Sequence, residues 1–427
     1  MTSTPTSPNA RFPWTPILAL AGGTLWTVTA ELLPAGLLLD ISQDTGVAPG
    51  TVGYLVTAWG VAIAALSLPL ARLTRRLDRR TVLISSLALT GAATVLTSLA
   101  PTYPLLLAAR ILAAAGHGLF WALVVVAAGS LVAEQHAGRA IALVIAGPTV
   151  ASVAVIPVAT ALGEAAGWRF AFGTVGLLTI MTGGLLARAL PRMATPPQVA
   201  RGTRDPSVGA VVKVAALGAV LLVAHFMAFT FVAPILTGSG GPGGTSVSLA
   251  LLVFGATGAV GLLLAPPLCR RLSADALPLI GALLAVSLLG IRVAGASQAV
   301  VLTAVAAWGL VIGALPVVFQ TRLFTLASPA FRPTAGAVIV VAFNLGIASG
   351  ATAGGVLYHH IGAGPLPVIG AALALATSVV LAAWRRPGRR PKAGPASVME
   401  ETLRSGEGDP AAAGASSRPT TTALSGA

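Results

Sequence analysis

The sequence predicts an all-α membrane protein in which twelve transmembrane helices form two pseudo-symmetric six-helix halves. Of its 427 residues, 56% are hydrophobic and only 9% are charged, a composition too apolar for a water-soluble domain. The chain holds about twelve apolar runs of the ~20 residues that a helix needs to cross a bilayer. A polar, basic segment between the sixth and seventh runs divides them into two equal sets.

The apolar runs define the helices in chain order. They cover residues 16–39, 51–71, 81–100, 104–130, 139–162, 168–188, 212–236, 247–268, 276–295, 299–321, 335–357 and 366–384. The first run follows MTSTPTSPNARFPWTP, which carries only Arg11 and no small-residue cleavage pattern. We therefore expect an uncleaved first span rather than a signal peptide.

Positive charges predict the orientation, because Lys and Arg are retained on the cytoplasmic side of a membrane. Placing the N-terminus inside collects these basic residues in the cytoplasm: Arg72, Arg75, Arg76, Arg79, Arg80, Arg139, Arg188, Arg192, Arg201, Arg204, Lys213, Arg270, Arg271, Arg332, Arg385, Arg386, Arg389, Arg390 and Lys392. Only Arg169 and Arg292 then lie near outer ends of spans. The prediction is a multi-pass protein of the cell inner membrane with both termini in the cytoplasm.

Five segments follow along the chain. They are a cytoplasmic tail (1–15), an N-terminal half (16–190), a cytoplasmic linker (191–211), a C-terminal half (212–384) and a basic tail (385–427). The last segment is rich in Pro, Gly, Ala and Ser, so we expect it to be disordered. PLARLTRRLDRR (69–80) has a counterpart in PLCRRLSAD (267–275), and such duplication of halves is a feature of secondary transporters.

Three ionisable residues of the first and fourth predicted spans are candidates for proton coupling. Glu31 is in the first span, where an ionised carboxylate facing lipid would cost several kcal/mol, so it must face the protein interior, pair with a cation or stay protonated. Arg110 in the fourth span is its natural partner, since an arginine in a membrane needs an acid, a cage of carbonyls or water. His117 lies seven positions further on and shares a helix face with Arg110. These three are the proton-coupling candidates, although a neutral glutamate bonded between helices and a histidine that only packs are the plainer alternatives.

Further polar and aromatic side chains in the spans are candidates for lining a substrate cavity. These are Trp26, Phe120, His225, Phe229, Gln320 and Asn344. Their mostly apolar character suits a neutral or lipophilic compound better than a phosphorylated one.

Several classes of function are excluded or disfavoured. The basic residues form short clusters between apolar runs rather than one basic face, which argues against nucleic-acid binding despite a net charge of +14. Cys269 is the single cysteine, so an intramolecular disulfide is impossible. The sequence has no HExxH, no GxSxG and no nucleotide-binding loop, so we expect no enzyme activity, no metal and no cofactor.

Four stretches carry a resemblance to a known family. TAELLPAGLLLDI (29–41), RLTRRLDRRTVLI (72–84), AARILAAAGHGLFWA (108–122) and ASVAVIPVATALGEAAGWRFAF (151–172) are similar to the major facilitator superfamily, within it to the drug and sugar efflux proton antiporters that include arabinose-efflux-permease-like and chloramphenicol-resistance-like exporters. Residues 320–355 are equally similar. The resemblance spans most of residues 14–384.

The resemblance implies the major facilitator fold, alternating access and a place for Glu31 and Arg110 near the proton route. It also implies conformational roles for residues of the loop after the second span and of the fifth-span motif, namely Arg76, Asp78, Arg79, Arg80, Pro157, Thr160 and Gly163. The chain departs from the family at Arg75, where an acid is usual, and at Asp78, where glycine is usual.

The sequence as a whole predicts proton-coupled efflux of a small neutral or lipophilic compound such as a drug, secondary metabolite or sugar. Its partners would be that compound, protons and the lipid bilayer, and a monomer is expected. An uptake symporter or uniporter is the alternative, because the fold serves both directions. A non-transporting receptor or scaffold is a remoter one, against which the intramembrane charges argue.

Overall fold

The computed structural model describes residues 12–191, 193, 205–237, 246–293 and 297–384. The described residues are almost wholly α-helical and contain no strand. Most of the predicted linker, nearly all of the first tail and the whole of the predicted tail 385–427 lie outside the described residues.

Six long helices build the N-terminal half. They are α1 (Trp14–Gly36), α2 (Tyr54–Leu73), α3 (Arg79–Leu99), α4 (Tyr103–Ser130), α5 (Glu134–Val150 and Ile156–Ala166, joined by a π-helical turn at Ala151–Val155) and α6 (Trp168–Ala189).

Six more build the C-terminal half. They are α7 (Val208–Phe229), α8 (Val247–Leu272), α9 (Ala276–Val293), α10 (Gln298–Leu326), α11 (Arg332–Ile361) and α12 (Leu366–Ala383). By length and hydropathy, 11 described stretches can cross a membrane, and one of these, Val247–Val293, contains both α8 and α9. Ser273, with a positive φ of 47°, separates those two helices. The twelve predicted membrane helices are therefore confirmed.

The first and seventh helices are interrupted near their C-terminal ends. Helix α1 stops at Gly36, two residues after Pro34, and the chain resumes helix at Leu38–Thr45, so the predicted run 16–39 is two helices. Helix α7 stops in the same way at Phe229, and a short helix follows at Val232–Thr237. Pro34 removes one backbone donor from α1, whereas backbone hydrogen bonds continue across the second interruption.

The same packing pattern recurs in both halves. Helix α1 packs on α5 and α6, α2 on α4, and α3 on α4 and α6. In the C-terminal half α7 packs on α11 and α12, α8 on α10, and α9 on α10 and α12. Each contact of the second set joins helices six places later in the order, which is the repetition that pseudo-symmetric halves require.

Contacts between the halves concentrate toward one end of the bundle. We call this the Asp44 end, because it carries the helix Leu38–Thr45, and the opposite end the Arg76 end. Helix α2 meets α11 there, with the Thr352 hydroxyl donating to the Thr57 hydroxyl at 3.1 Å. The C-terminal part of α5 meets the start of α8, where the Ser248 hydroxyl donates to the Glu164 carboxylate at 3.2 Å.

Glycines permit the closest of these approaches. A β-carbon on Gly50 would lie 2.9 Å from the Gly355 carbonyl oxygen, and one on Gly255 would collide with the Ser152 backbone of the π-helical turn. The seam between the halves therefore depends on missing side chains at these positions.

Large apolar side chains cover the outside of the bundle. Leu263, Val286 and Val379 are among those that remain well exposed. Such a surface would be an aggregation liability in water and is the expected contact surface for lipid tails.

Candidate functional site

Pro34 creates an acceptor that Arg110 uses. Pro34 has no backbone N–H, so the Ala30 carbonyl, four residues earlier in α1, has no donor within its own helix. Arg110 of α4 supplies that donor: its Nη1 donates to the Ala30 carbonyl at 2.5 Å, and its Nη2 donates to the Glu31 carbonyl at 3.1 Å. The arginine is thus held by the backbone of α1.

Arg110 also contacts the face of an aromatic ring. The residue is 0% exposed, and its Cζ lies 4.0 Å from the centre of the Trp59 ring of α2, within the range of a cation–π contact. Its charged group is not within 4.0 Å of the Glu31 carboxylate, so the direct ion pair expected between them is not formed. Two carbonyls take its place, because Pro34 leaves one of them without a helical partner.

The Glu31 carboxylate faces His117 instead. Glu31 lies five residues before the end of α1 and is 8% exposed, and its Oε2 is 3.6 Å from Nε2 of His117 on α4. The His117 ring packs edge to face on Trp59, with ring centroids 5.3 Å apart. We call Glu31, Trp59, Arg110 and His117 the Glu31 cluster.

Three buried polar atoms of the Glu31 cluster have no hydrogen-bond partner among the described residues. They are Nε1 of Trp59, Nε of Arg110 and Nδ1 of His117. Leaving a buried polar atom unpaired costs about 1–3 kcal/mol, so such groups in native proteins call for an explanation. The cluster therefore keeps unused hydrogen-bonding capacity beside a buried carboxylate.

A second polar group lies among aromatic rings in the C-terminal half. His225 of α7 is 3% exposed, and its Nδ1 accepts a hydrogen bond of 3.1 Å from Nε1 of Trp308 on α10. The rings of Phe229 and Phe254 lie 5.2 and 6.1 Å from the His225 ring between centroids, and the Phe254 ring is parallel to it. We call His225, Phe229, Phe254 and Trp308 the His225 cluster.

The other predicted cavity residues are scattered. Phe120 is fully buried in the N-terminal half with its ring against Gly23, and Trp26 is half-buried on α1. Gln320 is exposed near the Arg76 end of α10. Asn344 is buried on α11, where its side-chain amide donates to the Val340 carbonyl of its own helix at 2.9 Å.

The loop between α2 and α3 is tied to the N-terminal half. Asp78 caps α3 by accepting from the Arg80 backbone N–H at 3.3 Å, and it also accepts from the Met193 backbone N–H at 3.2 Å. The Arg80 guanidinium donates to the Ala187 carbonyl of α6. Arg79 is half-buried and Arg76 is exposed. Asp78 therefore caps α3, a position at which aspartate is favoured, and also joins the loop to the chain beyond α6.

The predicted motif of α5 faces α1. Thr160 and Gly163 pack on the end of α1, where a β-carbon on Gly36 would strike the Thr160 side chain and one on Gly163 would strike Leu37. Pro157 is buried one turn earlier. The motif thus fixes α5 to the interrupted end of α1, beside the Glu31 cluster.

Sequence reasoning missed four neighbours of these groups: Trp59, Trp121, Phe254 and Trp308. Trp121 Nε1 donates to the Thr27 hydroxyl at 3.3 Å, and its ring lies 6.1 Å from that of His117. The three tryptophans could have been found from their positions. Membrane proteins favour tryptophan near the membrane interfaces, whereas Trp59, Trp121 and Trp308 lie inside spans.

The fold and these clusters define a class of protein. Secondary transporters combine two repeated helix bundles, interrupted membrane helices and polar groups near the interruptions. The described structure has these features, with the first helix of each half interrupted. No group of three or more His, Cys, Asp or Glu side chains among the described residues could hold a metal ion.

Comparison with known sequences gives the family. Residues 17–330 match the sequence profile of the Major Facilitator Superfamily, and the chain belongs to this family of membrane transporters. A chloramphenicol efflux pump of Mycobacterium tuberculosis is 32% identical over 380 residues, which cover 84% of this chain and 90% of that protein. The transcription regulatory protein OpdE of Pseudomonas aeruginosa is 31% identical over 371 residues, covering 83% and 90%.

A solved structure matches the fold. A bacterial homolog of the human lysosomal transporter Spinster, in an inward-facing and unoccupied conformation, superposes with a TM-score of 0.65. The match covers 89% of this chain and 96% of that chain at 16% sequence identity. The expected fold and family are both confirmed.

Proposed function

We propose that this transporter exports a small neutral or lipophilic compound in exchange for protons, with Glu31 as the proton-carrying group. The observation that supports the proposal is the burial of the Glu31 carboxylate on α1. The nearby Arg110 guanidinium is bound to backbone carbonyls. An ionised carboxylate in such a place is costly, and protonation removes that cost.

His117 supports the proton route. Its Nε2 lies 3.6 Å from Glu31 Oε2, so a small movement brings the two groups into hydrogen-bond contact and lets them share a proton.

The arrangement of the halves supports coupling by alternating access. With the N-terminus in the cytoplasm, as the basic residues favour, the Asp44 end faces outward. The contacts between the halves concentrate there, which is the arrangement of a carrier closed on the outside. Protons and the compound then need only to stabilise opposite members of one two-state equilibrium.

The relatives support export and a drug-like compound. The Mycobacterium tuberculosis protein is a chloramphenicol efflux pump, and its likeness covers most of both chains. The mainly apolar residues of the clusters fit an uncharged compound, because a phosphorylated one would need more fixed positive charge than Arg110 provides.

The test uses everted membrane vesicles with an acidified interior and a pH-sensitive dye. Adding chloramphenicol, other lipophilic drugs and sugars to wild-type vesicles should release protons for the compound that is carried. Glu31→Gln should abolish this release. Glu164→Gln is the matched control, because it removes an exposed acid at the Asp44 end and leaves an acceptor for Ser248.

Equal proton release by wild type and Glu31→Gln would contradict the role of Glu31. Release by no compound at all would contradict proton-coupled export.

A further inference from the structure

Two aromatic rings contact an arginine at the Arg76 end of the N-terminal half. Arg139 is the sixth residue of α5, and its Cζ lies 5.0 Å from the centre of the Phe12 ring and 4.8 Å from the centre of the Trp14 ring. The Phe12 ring packs edge to face on Trp14, with centroids 4.9 Å apart, and on His136, with centroids 6.3 Å apart. We call Phe12, Trp14, His136 and Arg139 the Arg139 cluster.

The Arg139 guanidinium keeps its hydrogen-bonding capacity. Arg139 is exposed, and none of its N–H donors has a hydrogen-bond partner among the described residues. No carboxylate in the part of the chain that the structure describes lies within 4.0 Å of the guanidinium. The two rings orient the positive charge and leave its donors free for an anion.

Arg169 at the Asp44 end uses the same kind of ring contact differently. Its Cζ lies 4.4 Å from the centre of the Trp168 ring. Its Nη2 donates to the Asp44 carboxylate at 2.8 Å, and its Nη1 donates to two carbonyls at the end of α3 at 3.1 and 2.7 Å. Arg169 therefore joins segments of the protein through its donors, whereas the donors of Arg139 are unused.

The Arg139 cluster lies at the level where lipid headgroups are expected. Trp14 is 46% exposed as the first residue of α1, and tryptophan is favoured at membrane interfaces. Lys213 is exposed as the sixth residue of α7, and its Nζ lies 5.9 Å from the centre of the Trp384 ring at the end of α12. Cations beside aromatic rings thus occur at a similar depth in both halves.

The surface one turn deeper is apolar. Leu18 on α1 and Ala142 on α5 are exposed. They follow Trp14 and Arg139 by four and three residues, so each lies on the same helix face as the residue that it follows. The acyl chains of a phospholipid would lie along this apolar continuation, whereas a soluble anion would not use it.

We propose that the Arg139 cluster binds the headgroup of an anionic phospholipid of the cytoplasmic leaflet. Arg139 donates to the lipid phosphate, and the Trp14 ring lies beside the glycerol backbone of the lipid. With the N-terminus in the cytoplasm, as the basic residues favour, the Arg76 end faces the leaflet whose anionic lipids attract basic residues near the surface. Such a lipid site is separate from the Glu31 cluster and does not depend on which compound is carried.

The test is native mass spectrometry of the purified full-length protein, titrated with phosphatidylglycerol or with phosphatidylcholine of the same acyl chains. Both lipids carry a phosphate, but only phosphatidylglycerol has a net negative charge. The first phosphatidylglycerol should bind about 5-fold more tightly, the ratio that corresponds to ~1 kcal/mol for one basic residue near an anionic lipid.

Variants of the cluster separate its charge from its rings. Arg139→Gln should lower the affinity for phosphatidylglycerol by about 5-fold and change that for phosphatidylcholine little, whereas Arg139→Lys should retain most of the preference. Trp14→Leu removes no charge but should lower the affinity roughly 2- to 5-fold, because the ring that orients Arg139 is lost. Arg188→Gln is the matched control, since Arg188 is an exposed arginine in the last turn of α6 and contacts no aromatic ring among the described residues.

Equal binding of the two lipids by wild type would overturn the proposal. Equal losses in Arg139→Gln and Arg188→Gln would also overturn it, because the preference would then reflect the general positive charge of the Arg76 end. Displacement of phosphatidylglycerol by an equal concentration of glycerol phosphate would overturn it as well, since the cluster would then hold a soluble anion rather than a lipid.

Discussion

The contact between Arg110 and the Ala30 carbonyl predicts an energetic coupling between Arg110 and Pro34. Replacing Arg110 with lysine keeps the charge but removes the planar fork that reaches two carbonyls and overlies Trp59. Replacing Pro34 with alanine restores a backbone N–H, which can bond the Ala30 carbonyl within α1. The cost of the first substitution should therefore depend on the second.

The magnitudes follow from the contacts that are lost. Arg110→Lys loses one charge-assisted hydrogen bond, worth about 1.5–3 kcal/mol, and part of a buried cation–π contact, which as a whole is worth about 2 kcal/mol. The total cost to the free energy of unfolding should be about 2–4 kcal/mol. In the Pro34→Ala background the Ala30 carbonyl is no longer left unpaired, so the cost should fall by about 1–3 kcal/mol.

A double-mutant cycle measures this coupling. Wild type, Arg110→Lys, Pro34→Ala and the double variant are unfolded from mixed micelles by a denaturing detergent, and the unfolding free energies are compared. If the effects of the two substitutions add within about 0.5 kcal/mol, the carbonyl that Pro34 frees is not the anchor of Arg110 and this reasoning is refuted.

Two further predictions concern the ends of the bundle. Gly255→Ala should force α8 away from α5 and open the Asp44 end, which a lower yield of disulfide crosslinking between Glu164→Cys and Ser248→Cys would report. At the Arg76 end, hydrogen bonds from the Ser207 hydroxyl and then from the Ser328 hydroxyl hold the pKa of Asp205 below its ordinary value of 3.8. An acid whose pKa is lowered in the folded protein stabilises the folded state at pH values above its ordinary pKa, and this stabilisation is lost as the pH falls through the folded pKa. Asp205→Asn should therefore lower the melting temperature at pH 7 and not in strong acid.

Each of these predictions has a control and a contrary outcome. Crosslinking is measured with Cys269 replaced by alanine, and Gly258→Ala is the matched substitution, because a β-carbon there makes only an ordinary 3.4 Å contact within the C-terminal half. Equal crosslinking yields for the Gly255 and Gly258 variants would show that the seam tolerates a side chain. An Asp205→Asn effect that is the same in strong acid and at pH 7 would show that the carboxylate charge does not matter.

The twelve membrane helices could be predicted because the hydropathy and length of each apolar segment are enough to identify it as a membrane-spanning helix. The interruption after Gly36 was partly visible in Pro34, which cannot donate to the helix. The π-helical turn at Ala151–Val155 was not predicted, although it lies between Pro148 and Pro157, and Gly255 of the other half packs on its Ser152 backbone. Hydropathy thus indicates which segments are helical but not the exact form of the turns within them.

The candidate site was predicted as a set of residues and not as a set of contacts. Burial made Glu31, Arg110 and His117 conspicuous, because charged and polar groups are rare in spans. Charge alone suggested that Glu31 would pair with Arg110, but the acceptors are the Ala30 and Glu31 carbonyls, and only the first is indicated in the sequence, by Pro34. In the C-terminal half His225 and Phe229 were predicted, whereas Trp308 was missed because its hydrogen bond to His225 joins helices 83 residues apart.

The proposed exchange requires Glu31 to give up its proton when the compound binds. The most direct measurement is the number of protons released when chloramphenicol binds to the purified protein in weakly buffered detergent solution, followed with a pH indicator. This exchange predicts about one proton for each bound molecule in wild type and none in Glu31→Gln, since one carboxylate carries the proton. The same release from Glu31→Gln as from wild type would contradict it.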